Sequence, residues 1–351
     1  MFDLLTMPKA ELHLHLDGTL TPSTLLRLAE RHDALALLPE QALATWFVFA
    51  DLNHFFHVKR TIKQLLRTAD DFALVVHAAA ADLSAQHVRY AEVTVTPYSF
   101  IDALNYGLTI DDLLAGLEQG RQQARRDFGI ELRWVFDIPR NRAFANGGDY
   151  VAGVAERTLA YALLGREYGV IGLGLGGSEV NAPPEAFAPV FAEAKRHGLR
   201  SLPHAGESAG AASVWGAITA LGADRIGHGV RSVEDESLLR LLAERQIPLE
   251  VNISSNIALG IYQRLEDHPV RRLDAAGVQV TINTDDPQMV GTTLTREYEL
   301  LITGFGFSKA DVLRLARSAF QAACAEPDVK TRLLAEFDQW AGAGNAAHSG
   351  G

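Results

Sequence analysis

The chain has 351 residues, 48% of them hydrophobic and 21% charged, with a formal net charge of −11, which fits a globular protein long enough to bury its own core. The acidic balance lacks the basic footprint that a nucleic-acid backbone requires, and no apolar run approaches the length of a membrane helix, so neither partner is expected. The opening residues carry no basic-then-apolar leader, and the single cysteine, Cys324, excludes an intrachain disulfide and a thiolate-only metal site; together they point to the cytoplasm.

Eight short apolar runs read as strands: 10–17, 88–96, 132–138, 169–176, 200–204, 225–228, 248–252 and 278–285. Helical signals fall between them. Thr21-Pro22 looks like an N-cap and first helical position before Leu25, Leu26 and Leu28. Ser232 with Asp235, and Ser308 with Asp311, read as capping boxes ahead of leucine-rich segments. The interval 18–87 is too long for one crossover and predicts several helices, some over the barrel mouth. Strands alternating with helices predict the α/β class and a single (β/α)8 TIM barrel with a helical insertion after the first strand. The barrel is expected to occupy 1–341, followed by a loose tail, 342–351.

Active sites in such barrels gather at the C-terminal ends of the strands, and those ends are polar here. In Glu11-Leu12-His13-Leu14-His15-Leu16-Asp17 the alternation is strict, so the leucines face the helices while His13, His15 and Asp17 point inward. Alone, a His-x-His pair is more often a hydrogen-bonded core pair than a metal site. His204 ends the fifth strand and Glu207 follows in its loop, where a carboxylic acid can give a proton to a ring nitrogen and take one from water. His228 stands between Gly227 and Gly229, whose missing side chains would let a ligand approach the backbone. In the last strand Gln279, Thr281, Asn283 and Asp285 share the inward face, and Asp286 begins the loop. Adjacent carboxylates at a buried mouth repel, so at least one should bind a cation or carry a raised pKa. Three histidines and an aspartate on one barrel mouth suit zinc, with iron, cobalt or manganese as alternatives.

The stretches Lys9-Ala10-Glu11-Leu12-His13-Leu14-His15-Leu16-Asp17-Gly18, Gly177 with Glu179, His204-Ala205-Gly206-Glu207, Gly227-His228-Gly229 and Asn283-Thr284-Asp285-Asp286-Pro287 span nearly the whole chain. In this order they resemble the adenosine and adenine deaminases of the amidohydrolase superfamily. The resemblance implies one Zn2+ per chain on His13, His15, His204 and Asp285. It implies that Glu207 protonates purine N1, that His228 deprotonates or orients the attacking water, and that Asp286 meets N7. Gly177 would present its N–H to N3, and Asp17 would contact the sugar. An aspartate at position 17 favours a nucleoside over a free base. Two further stretches, 88–98 and 285–294, resemble the aminodeoxyfutalosine deaminases of the futalosine route to menaquinone, whose nucleoside carries a benzoate. The implied partner is a small purine nucleoside, with adenosine or another 6-substituted purine nucleoside as the alternative substrate. Lys59, Arg60, Lys63 and Arg67 are candidates to pair with the benzoate. Asn252-Ile253, where relatives often have Cys-Pro, and Ser178, where they often have an acid, depart from the family pattern near the ring-binding end.

Overall fold

The computed structural model describes residues 3–39, 46, 47, 49, 52–144 and 148–346. Eight parallel strands pair in chain order: β1 (Lys9–His15), β2 (Val88–Val95), β3 (Glu131–Pro139), β4 (Val170–Gly176), β5 (Arg200–Ala205), β6 (Ile226–His228), β7 (Leu249–Val251) and β8 (Val280–Ile282). Each lies inside its predicted run or overruns it by one residue at one end or, for β3, at both. The architecture is a (β/α)8 barrel, as the alternation of strands and helices predicts. Its closure is made by backbone hydrogen bonds just past β8: the N–H of His15 donates to the Asp285 carbonyl at 2.8 Å, and the N–H of Asp285 to the His13 carbonyl at 3.1 Å.

Two strands stop two or more residues short of their predicted ends. β1 gives way after His15 to a one-turn helix, Leu16–Gly18, so the turn, not strand alternation, places Asp17. β8 ends at Ile282, and Asp285 takes a left-handed φ of 66°. Such a backbone is uncommon for a residue with a Cβ and recurs where function holds a side chain in place.

The insertion contains α1 (Pro22–Arg31), α2 (Leu52–Lys63) and α3 (Ala69–Ala85). Thr21 caps α1 by accepting from the N–H of Thr24 at 3.2 Å. Ser308 and Asp311 form the expected capping box on Lys309–Ala322. The other predicted box is corrected. Asp235 itself is the N-cap of Glu236–Arg245, accepting from the N–H groups of Ser237 and Leu238, while Ser232 sits one turn earlier in a short 3-10 helix. The final helix, Pro327–Ala346, runs through the start of the expected tail; 347–351 lie outside the described residues. Among the described residues no helix is long and apolar enough to cross a membrane.

Beneath the mouth, the barrel interior holds a buried charged layer. Arg225 donates through Nε to Glu250 Oε1 at 2.6 Å and through its terminal nitrogen to Glu92. Glu92 also accepts from the Tyr90 hydroxyl at 2.9 Å and from the Cys324 N–H at 2.6 Å. Outside the barrel, α3 packs against α4 (Ile110–Phe128) through Gly116 and Gly120. A Cβ on Gly120 would lie 2.5 Å from Val76 Cβ. Gly120→Ala should therefore cost about 1–3 kcal/mol of stability by overpacking. Denaturant unfolding checks this, and metal content should be unchanged because the contact is on the outer face.

Candidate active site

His13 and His15 end β1, His204 lies in β5 and Asp285 follows β8. One donor atom from each lies within 4.8 Å of the other three. His15 Nε2 stands 3.1 Å from His204 Nε2 and 3.2 Å from Asp285 Oδ1, and His13 Nε2 stands 3.3 Å from that same oxygen. Four ligands about 2.0–2.1 Å from a tetrahedral zinc ion would be about 3.3 Å apart. His13 Nε2 is buried with no hydrogen-bond partner among the described residues, as expected of a lone pair kept for an ion. The donors are nitrogen and carboxylate oxygen, and the residues therefore fit a metal.

Two of the four, His13 and Asp285, are held from behind. His13 Nδ1 donates to Glu250 Oε2 at 2.8 Å, which leaves Nε2 bare. This is the usual carboxylate support of a metal-binding imidazole, and the Glu250 carboxylate is itself held by Arg225. Asp285 uses Oδ2 to accept from Ser255 Oγ at 2.6 Å, so Oδ1 faces the histidines. Gly227 serves a purpose different from the expected one. A Cβ there would come within 2.7 Å of His13 Cε1, so the glycine makes room for a ligand's ring and not for the substrate.

Glu207 sits on the loop after β5, 16% exposed, with Oε1 3.7 Å from His228 Nε2. Burial, together with the charges of Asp285 and Glu179, pushes its carboxyl up to about 8. The loop is shaped by Glu179, whose carboxylate accepts from the backbone N–H groups of Gly206, Glu207 and Ser208 at 2.8–2.9 Å. Burial alone would raise the Glu179 carboxyl, but Arg140 and these hydrogen bonds hold it below its ordinary value. His228, at φ 61°, is pushed down to about 4 by burial and is neutral at pH 7. Its Nδ1 accepts from the amides of Asn252 and Asn256 at 3.3 and 3.2 Å.

At the opposite side of the mouth, α2 reaches down through two lysines. Lys59 donates to Asp286 Oδ1 at 2.8 Å and lies 3.4 Å from Asp17 Oδ1; Lys63 lies 3.3 Å from Asp17 Oδ2. Despite burial, these cations hold the Asp17 carboxyl well below the usual range. Burial outweighs Lys59 at Asp286 and raises that acid. The mouth opens into a cleft of about 1080 Å³, open to solvent, whose walls include Gly177, Ser178, Glu207, His228, Asp285 and Asp286.

The structure thus brings to one cleft the predicted His15, His204, Glu207, His228, Gly177, Asp285 and Asp286, with His13 and Asp17 packed directly behind. Of the four cationic candidates, Lys59, Arg60 and Lys63 line the cleft. Arg67 does not: its Nε donates to the Gln64 carbonyl at 2.8 Å and its guanidinium covers the Tyr106 ring. Sequence reasoning missed Asn252, Asn256, Glu250, Arg142 and Asp137. Asp137 was within reach, because Arg133, Val135 and Asp137 alternate along β3 and only Asp137 stands at its C-terminal end. Arg142, exposed at the cleft wall, follows the same strand.

The family model described as adenosine deaminase matches residues 8–340. An aminodeoxyfutalosine deaminase of Streptomyces avermitilis is 39% identical over 96% of this chain and 92% of its own length. Among solved structures, an adenine deaminase from Arthrobacter aurescens superposes with a TM-score of 0.86 at 30% identity, over 95% of this chain and 99% of that one. A zinc-bound amidohydrolase from Burkholderia ambifaria gives 0.86 at 27% identity, over 98% and 94%. A match of this extent, to proteins of one chemistry and on the same barrel, places the chain in the adenosine deaminase family: it is a hydrolase that removes the amino group from an adenine-type substrate.

Proposed function

We propose that the enzyme deaminates aminodeoxyfutalosine with one zinc ion per chain. Four residues, His13, His15, His204 and Asp285, would hold the ion, which supplies Lewis acidity and makes water a competent nucleophile near neutral pH. Carrying the reading is the placement of Glu207, an acid with raised pKa, beside His228 and the four-residue cluster. Protonated at pH 7, Glu207 gives its proton to N1 of the ring and so makes C6 electrophilic. Water oxygen then bonds to C6; Glu207, now ionised, takes one proton of that water and passes it to the amino nitrogen, the bond from C6 to that nitrogen breaks and ammonia leaves, and the second water proton returns to Glu207 as the 6-oxopurine forms. His228 faces the entering oxygen. Asp286, with Oδ1 held by Lys59 and its acid raised by burial, faces N7. The Gly177 N–H meets N3, and ionised Asp17 accepts from a sugar hydroxyl.

The finer substrate rests on two observations. The aminodeoxyfutalosine deaminase match covers nearly the entire chain. The cleft walls beyond the ring also carry Arg60, Lys63 and Arg142, in a protein that is otherwise acidic. Lys63 is shared with Asp17, which leaves the two exposed arginines better placed for a benzoate carboxylate.

Glu207→Gln should lower kcat by about 10²–10⁴-fold while retaining the metal, measured by elemental analysis beside ammonia release. Presented with adenosine, adenine and aminodeoxyfutalosine, the parent enzyme should turn over the last with the highest kcat/KM; a clear preference for adenosine would return the assignment to an adenosine deaminase. Replacing Arg60 and Arg142 by alanine should raise KM for aminodeoxyfutalosine roughly tenfold, the loss of about one charge-assisted hydrogen bond, and leave KM for adenosine unchanged.

A further inference from the structure

His13 and His228 are neighbours, with ring centroids 4.9 Å apart, yet opposite partners stand behind them. His13 Nδ1 faces a carboxylate, which can only accept, so its proton is on Nδ1 and its lone pair on Nε2. Behind His228 the groups donate.

Two backbone groups fix that polarity. A backbone N–H can only donate, and a carbonyl can only accept. The N–H of Val270 donates to His268 Nδ1 at 3.3 Å. Burial pushes His268 down to about 3, so the ring is neutral and its one proton is on Nε2. That proton goes to Asn256 Oδ1 at 3.1 Å. The Asn256 amide is thereby oriented, and its Nδ2 donates to His228 Nδ1 at 3.2 Å. Independently, the Glu250 carbonyl accepts from Asn252 Nδ2 at 3.0 Å, which turns the same nitrogen toward His228 Nδ1 at 3.3 Å. Both routes deliver a donor to Nδ1. His268, Asn252 and Asn256 are almost wholly buried, at 3%, 0% and 0% exposed, so water does not compete for these contacts. The His268 ring is packed edge-on against Tyr262 and Phe305, which limits its rotation.

We infer that His268 and Asn256, which do not line the cleft, are positioning residues that hold His228 in the Nε2–H tautomer. His228 then gives a hydrogen bond to the oxygen entering at C6 and does not take its proton. The same arrangement keeps His228 out of the metal's ligand set although its ring lies among the ligand rings. Of the two roles the family resemblance allows for this histidine, the network selects orientation over deprotonation. The inference rests on the deaminase reading for its effect on turnover, whereas the tautomer is measured without turnover.

Long-range nitrogen–proton NMR of the zinc-loaded enzyme labelled with ¹⁵N-histidine gives the tautomer, with His228→Gln used to assign the ring. The expected spectrum has a protonated Nε2 and a bare Nδ1. Asn256→Asp places an acceptor on Nδ1 and should move the proton there. It should lower kcat by at least about 100-fold, as a wrong tautomer does elsewhere, with KM and zinc content within about threefold. His268→Leu should fall in the same way. His268→Gln, which can still donate to Asn256 Oδ1, should recover most of kcat. A parent spectrum with the proton on Nδ1 overturns the inference, as does an Asn256→Asp enzyme with undiminished kcat. If both losses come only with loss of zinc or of the folded melting transition, the residues are structural and the inference also fails. Should Glu207→Gln keep full activity, the acid–base mechanism proposed for Glu207 fails instead, and the NMR result stands apart from it.

Discussion

The seam between β8 and β1 is the constraint on which the rest depends. A barrel sheet must close, because open strand edges leave backbone donors and acceptors without partners. Here the closing bonds join His15 to Asp285 and Asp285 to His13. The hydrogen bonds that complete the barrel therefore run through the backbones of three of the four candidate metal ligands. Residues 270 positions apart in the chain are brought to within a few ångströms by the same interaction that holds the fold together. The left-handed backbone of Asp285 follows: the chain must pair with β1 and still turn its carboxylate into the mouth.

A second consequence is electrostatic. Burying a charge is costly unless it is paired, and this mouth holds Asp17, Glu179, Asp285, Asp286 and Glu207. The first four have partners in the structure: the two lysines of α2, Arg140 and the loop amides, the histidines and Ser255. Among the described residues, Glu207 has no comparable cation. Its carboxyl is accordingly the one pushed up to about 8, which is the state an acid needs if it is to hold a proton at neutral pH. Lys59 and Lys63 also explain why the insertion after β1 belongs to the site. α2 is tied to the strand ends by ion pairs as well as by apolar packing.

Much of the site is legible in the residue order because strand alternation is a local property of the backbone. Leu12 and Leu14 declare one face of β1, and His13 and His15 then have only the other. Thr281 is read in the same way within β8, whereas Asp285, beyond the end of that strand, owes its direction to a left-handed backbone. Asp17 shows where alternation stops. It lies inward, but a single helical turn puts it there, and no pattern of period two describes that. Gly227 shows a second failure. Its spacing beside His228 suggested room for a ligand, whereas the space is filled by His13 from a strand on the far side of the barrel.

The sequence alone determined the barrel and the polar residues at its strand ends, because these are written in neighbours two to four residues apart, whereas closure of the barrel brought His13, His15, His204 and Asp285 together. The tertiary structure decided what stands behind those groups. Glu250 behind His13, Glu179 beneath the Glu207 loop, Lys59 between Asp17 and Asp286, and His268 behind Asn256 are pairings between separate elements. They depend on strand register, on where α2 returns to the mouth and on which way a buried amide points. These are settled by packing and hydrogen-bond satisfaction across the whole barrel, and no local pattern records them. The chemical types were visible in the chain, but the protonation and tautomer that let them act were fixed only by their through-space partners.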